Sequence, residues 1–108
     1  MNDSATPPPR RYQQFKQEFP DVVNAYERLG EACHQVGPLD AKMRELIKLG
    51  IALGAGLESA ARAHVRLALE AGATPDEIRH AVILSTTTLG FSSMMRGMSW
   101  ANDVLDRR

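Results

Sequence analysis

A β-strand needs a partner strand, and this chain offers no pair of strand candidates. Its apolar residues instead recur at intervals of three and four. Val22, Tyr26, Leu29, Cys33 and Val36 form one such series, and Met94, Met98, Ala101 and Leu105 form another. That recurrence is the face of an amphipathic helix. The one stretch rich in strand-favouring hydroxyl residues is Ser85-Thr86-Thr87-Thr88. It has nothing to pair with and is read as helix, its hydroxyls bonding back to the preceding turn. The expected fold is all-α: a single-domain antiparallel bundle of about five to six helices, packed as sequence neighbours because the loops are short.

Residues 1–11 hold Pro7-Pro8-Pro9 and Arg10-Arg11 and read as an extended arm, either free or laid on a neighbouring subunit. Residues 12–108 form the helical domain. A short helix is expected over Tyr12–Phe19, stopped by Pro20, and a second over Asp21–Val36, closed by Gly37-Pro38. On the second helix Cys33 shares the apolar face and reads as a small buried hydrophobe. Asp40 is a good N-cap for Ala41–Leu53, whose apolar face is Met43, Leu46, Ile47, Gly50, Ile51 and Leu53. Gly54-Ala55-Gly56 breaks the chain. Residues 57–71 are rich in Ala and Leu and make the strongest helix by propensity, capped by Gly72. Thr74-Pro75-Asp76-Glu77 is a capping box with proline at the first helical position. It opens a helix running through Ile78, Ala81, Val82 and Leu84 to Leu89, ended by Gly90. Ser92 caps the last helix.

Composition removes several function classes. The 108 residues make one ordinary domain, small enough for oligomerisation to help bury its surface. Thirteen Lys+Arg offset thirteen Asp+Glu. No basic excess marks a nucleic-acid partner. Apolar residues are 44% of the chain, yet no apolar run approaches the ~18 residues of a membrane span. The first residues lack a basic and then apolar leader, which points to the cytoplasm. The single cysteine, Cys33, allows no intramolecular disulfide, no CxxC pair and no thiolate cluster. Three histidines on different segments show neither HExxH nor HxH spacing, so no metal site is expected.

The most specific stretch is Arg62-Ala63-His64-Val65-Arg66, running on through Glu70-Ala71-Gly72-Ala73-Thr74-Pro75-Asp76-Glu77-Ile78, with Arg44-Glu45-Leu46-Ile47 upstream. From about Pro20 to Leu105 the chain resembles the carboxymuconolactone decarboxylase family of the alkylhydroperoxidase D-like superfamily. The resemblance implies an all-α homo-oligomer, commonly a trimer or hexamer with pockets between subunits, and no cofactor. Redox-active members resemble Glu, eleven residues, Cys-x-x-Cys, three residues, His. Glu45 and His64 fall on the glutamate and histidine, but Leu57 and Ala60 stand at the two cysteine positions, and Ser59 stands where some members carry a second histidine. Thiol peroxide chemistry needs a thiolate, which Leu57 and Ala60 do not supply. The decarboxylase branch resembles Glu four residues before its histidine and Arg two after. His64 and Arg66 match, whereas position 60 is Ala.

His64 is the candidate acid or base, set among Ala60, Ala61, Ala63, Val65 and Ala68, with Glu45 to orient its other ring nitrogen. The plain alternative is a structural Glu45–His64 pair in the core. Arg62 and Arg66, with Ser59, are the candidate substrate contacts, the arginines as carboxylate anchors. Ion pairing is their plainer use, and Glu70 is four residues beyond Arg66. Glu58 suits the first turn of its helix as a cap. His34 and His80 read as surface residues. Phe91, Met94, Met95, Met98 and Trp100 read as an interface cluster or a core. The favoured function is cofactor-free acid/base chemistry on a small carboxylated lactone or organic acid. The alternatives are a non-catalytic homo-oligomeric binding or scaffold protein and, last, a thiol peroxidase.

Overall fold

The structure, a computed structural model, describes residues 9–107. They form seven helices and no strand: α1 (Arg10–Glu18), α2 (Pro20–Gln35), α3 (Ala41–Ala55), α4 (Glu58–Glu70), α5 (Pro75–Ile83), α6 (Thr86–Leu89) and α7 (Phe91–Leu105). The all-α expectation holds. Most of the expected N-terminal arm, residues 1–8, lies outside the described residues. The chain divides into two compact units, residues 9–39 and residues 40–107.

In the first unit α1 packs on α2. Pro20 opens α2 at a position where no amide hydrogen is needed. The Tyr12 hydroxyl donates to Glu27 Oε2 at 2.7 Å, and Phe15 and Phe19 stack with ring centroids 5.1 Å apart. The one buried side chain of these two helices is Val23. The stripe expected to be buried is exposed at Val22, Tyr26, Leu29 and Val36, and so is Cys33, correcting the core reading of that thiol. The reason is rotational. Glu27, which meets Tyr12 and Lys16 of α1, and the buried Val23 one turn before it lie about 100° round the helix from Val22 and Tyr26. A nine-residue α1 cannot cover both sides.

In the second unit Asp40 caps α3 as expected, its Oδ1 accepting from the Met43 amide at 2.9 Å. The helix continues two residues past Leu53 and stops at Gly56, whose φ of +69° is the left-handed conformation that favours glycine. The buried face of α3 is Glu45, Leu49, Ala52 and Leu53, while Met43, Ile47 and Ile51 are exposed. This corrects the expected face. α3 is apolar on two sides, and the core takes the side that meets the small residues Ala61 and Ala68 of α4. Leu49, Val65, Ile78 and Val82 are the largest fully buried side chains and join α3, α4 and α5. α7 closes this core with Met94, Ala101 and Leu105, touching α3, α4 and α5. Its approach to α3 is close: a Cβ at Gly97 would stand 2.7 Å from Leu53 Cδ2.

Two boundaries differ from expectation. The helix opened by Thr74 stops at Ile83, and α6 begins at Thr86. The hydroxyls of Ser85 and Thr86 donate to the carbonyls of Val82 and Ile83, each at 2.6 Å. The expected back-bonding therefore occurs, and it competes with the backbone ladder strongly enough to open a turn. α7 begins at Phe91 with Gly90, at φ +101°, as its cap, so Ser92 lies inside the helix.

Candidate functional site

Glu45 and His64 sit on α3 and α4, the two helices that the Gly56 turn folds together. His64 Nδ1 and Glu45 Oε1 are 2.8 Å apart. Against an ionised Glu45, which only accepts, Nδ1 is the donor of this contact. Glu45 is 7% exposed, and the His64 side chain is 22% exposed. A buried carboxylate costs several kcal/mol unless it is hydrogen-bonded to a partner. The imidazole serves as such a partner here. Its Nε2 makes no hydrogen bond with any described residue. The result is a histidine fixed at one nitrogen and open at the other.

The surroundings of His64 on α4 are small. Ala61, Val65 and Ala68 are buried, and Ala60 and Ala63 are partly buried. Leu57, one face-repeat before His64, is exposed, as is Ser59 in the first turn.

The two arginines differ in their availability. Arg62 Nη2 is 2.9 Å from a Glu58 oxygen and 2.9 Å from an Asp103 oxygen, tying α4 to α7. The Asp103 hydrogen bond first, and then Glu58, raise its already high pKa. Glu58 is therefore engaged by Arg62; no side-chain hydrogen bond caps α4. Arg66 forms no ion pair among the described residues, with Glu70 or otherwise.

The remaining candidates separate. His80 is exposed and His34 partly buried. The C-terminal cluster divides: Met94 is buried, Met98 and Trp100 pack against the core, and Phe91 and Met95 are exposed. The Arg96 guanidinium lies over the Trp100 ring, 5.1 Å from its centroid. A groove of about 350 Å³ between α3 and α5, lined by Met43, Leu46, Ile47, Glu77, His80, Ala81 and Leu84, was not anticipated. Its sequence signal is the second apolar side of α3. Among the described residues no cluster of His, Cys, Asp or Glu could hold a metal ion, and no helix is long and apolar enough to cross a membrane.

A family model described as the carboxymuconolactone decarboxylase family matches residues 20–103. A curated relative, an uncharacterized protein of Haemophilus influenzae, is 36% identical over 55 residues, covering 51% of this chain and 49% of the relative. The match thus spans about half the length of each. No solved structure matches the chain.

Proposed function

We propose, from the premise that the chain belongs to the carboxymuconolactone decarboxylase family, that it is a cofactor-free lyase acting on a small carboxylated lactone or related organic acid. The observation that carries this reading is the His64 ring, bonded to Glu45 at Nδ1 and open at Nε2. In the acid form Nε2 bears a proton, and the Glu45 carboxylate stabilises the imidazolium. The substrate's C–C bond breaks and CO₂ departs. The electron pair remains on the lactone as an enolate, and the His64 Nε2 proton passes to carbon. Water then reprotonates the ring. Arg66 would anchor a carboxylate that stays on the substrate. Arg62 already holds Glu58 and Asp103, so it serves this role less well. Ser59 is an exposed hydroxyl in the first turn of the same helix.

We also propose a homo-oligomer, a trimer or hexamer, on the strength of the apolar residues that the single chain leaves exposed. A thiol peroxidase is disfavoured. Leu57 and Ala60 carry no sulfur, and Cys33, on α2, is the only cysteine of the chain. Ala60 favours a second reading, a non-catalytic binding or scaffold protein. In that reading Glu45 and His64 are simply a satisfied buried pair.

The test is CO₂ release from carboxymuconolactone by the wild-type chain and by His64→Ala. Loss of about 10²-fold or more in kcat is expected for the variant. Equal rates would overturn the acid role. A wild type that binds the lactone without turnover would select the second reading.

A further inference from the structure

Three cations stand round Glu45 on α3, at different angles. Lys42 and Lys48 are three residues before and after it, about 60° to either side. Lys42 meets Glu77 of α5 at 3.1 Å, so its side is the one that α5 takes. Lys48 lies on the other side, turned away from α5. Arg44, whose Nε is buried, lies about 40° further round the same way.

α4 is arranged about His64 in the same manner. The buried Ala61 and Val65 lie on one side of the histidine, and Ala60 and Leu67 lie about 40° and 60° round on the other. Ala61 and Val65 close the core side of the ring, so its exposed edge lies on the side of Ala60. The Gly56 turn sets the levels. The Leu57 amide donates to the Ala52 carbonyl at 2.9 Å, and Glu45 meets His64 at 2.8 Å. Between these two rungs the helices run antiparallel, which brings Lys48 level with Ala60 and Ala61, about one turn from His64. Ala60 presents only a methyl group there, and the flexible four-carbon stem of a lysine spans such a distance. The acids of α4 lie elsewhere. Glu58 is held by Arg62, and Glu70 is more than two turns beyond the level of Lys48. The flank beside the open nitrogen of His64 is therefore positively charged.

We propose that Lys48 donates to the lactone carbonyl oxygen of the substrate and stabilises the enolate that forms there. The inference rests on the decarboxylation reading and adds the group that meets the developing charge. As the C–C bond breaks and CO₂ leaves, the electron pair passes to the lactone carbonyl oxygen. The Lys48 ammonium donates a hydrogen bond to that oxygen and keeps its own proton. The pair then returns to carbon, which takes the Nε2 proton of His64. α4 thus brings the proton and α3 the charge. Lys48 would otherwise serve Glu45 alone, as an ordinary helix neighbour three residues away.

The test joins turnover to the binding of tetronate, a five-membered lactone that is itself an enolate at neutral pH. Lys48→Met should lower kcat for CO₂ release from carboxymuconolactone by about 10²-fold, with KM little changed, while the helical circular dichroism is kept. It should weaken tetronate binding in calorimetry by about ten-fold or more. Lys48→Arg, which restores the charge, should regain part of both losses. Lys42→Met, which removes the same charge on the α5 side, should change neither. A Lys48→Met chain with the kcat and tetronate affinity of the wild type would overturn the proposal. So would a Lys48→Arg chain no better than Lys48→Met, since the lysine would then matter for packing and not for charge. A wild type that binds tetronate through Lys48 but releases no CO₂ would overturn the decarboxylation reading and keep Lys48 as an enolate anchor. A wild type that does neither would overturn both.

Discussion

Glu45 shows how one side chain is spent on another. A carboxylate 7% exposed in a helix that otherwise buries Leu49, Ala52 and Leu53 is tolerated because it meets a ring nitrogen 2.8 Å away. With Glu45 ionised, the bond also holds the proton on Nδ1. Glu45→Gln keeps the shape and changes the chemistry, since an amide nitrogen offers a donor and permits the opposite tautomer. The expected outcome is a fall of about 10²-fold or more in kcat, read beside an unchanged circular dichroism spectrum. Helical periodicity could not distinguish Glu45 from a solvated glutamate. The 19-residue spacing to His64 became meaningful only through the family frame. Arg62 teaches the reverse. Its sequence neighbourhood marked it as a ligand group, but Asp103, 41 residues away, engages it. Nothing local in the sequence announces that partner.

Local rules were the most legible at the level of elements. The Thr74 hydroxyl accepts from the Glu77 amide at 3.0 Å, and Glu77 Oε1 accepts from the Thr74 amide at 2.9 Å, the box read directly from four residues. Thr74→Ala should cost about 1 kcal/mol in urea unfolding. The Thr74 backbone bond first, and then Lys42, hold the Glu77 carboxyl below its ordinary value of 4.5. A carboxyl depressed in the fold adds stability above that ordinary value and loses it as pH falls through the folded-state value. Acid unfolding midpoints should therefore show a loss of stability below about pH 4.5, and Glu77→Gln should make it shallower. Non-local contacts were not legible. Gly97 reads as a weak point in a helix, but Leu53 occupies the space where its Cβ would go. Gly97→Ala, which raises helix propensity, should nevertheless destabilise by about 1–3 kcal/mol in the same unfolding measurement. The break at Leu84-Ser85 escaped for an energetic reason. The back-bonding hydroxyls were foreseen, but whether they bend a helix or interrupt it depends on the packing around them.

For the whole molecule, an apolar period specifies that a helix is amphipathic and not what its apolar side meets. The stripe on α7 faces the core, with Met94, Ala101 and Leu105 buried, whereas the equally regular stripe on α2 is exposed. The α-helical class followed from the pattern because it requires only the period. The buried faces of α2 and α3 did not, because they depend on which other helices arrive. Gly50→Ala separates the two settings of α3. On a free helix face it should stabilise the monomer by roughly 0.5–1 kcal/mol, and in a helix-to-helix seam it should weaken assembly, which sedimentation at several concentrations would register. The proposed chemistry depends on which nitrogen of His64 is free. A long-range ¹H–¹⁵N spectrum of the histidine rings, assigned with His64→Ala and recorded with and without 5-oxotetrahydrofuran-2-carboxylate, measures this directly. The expected result is a proton held on His64 Nδ1, with Nε2 the nitrogen that responds to the lactone carboxylate. An Nδ1 that carries no proton, or an Nε2 indifferent to the ligand, would contradict the pairing with Glu45 and the assignment of His64 as the acid.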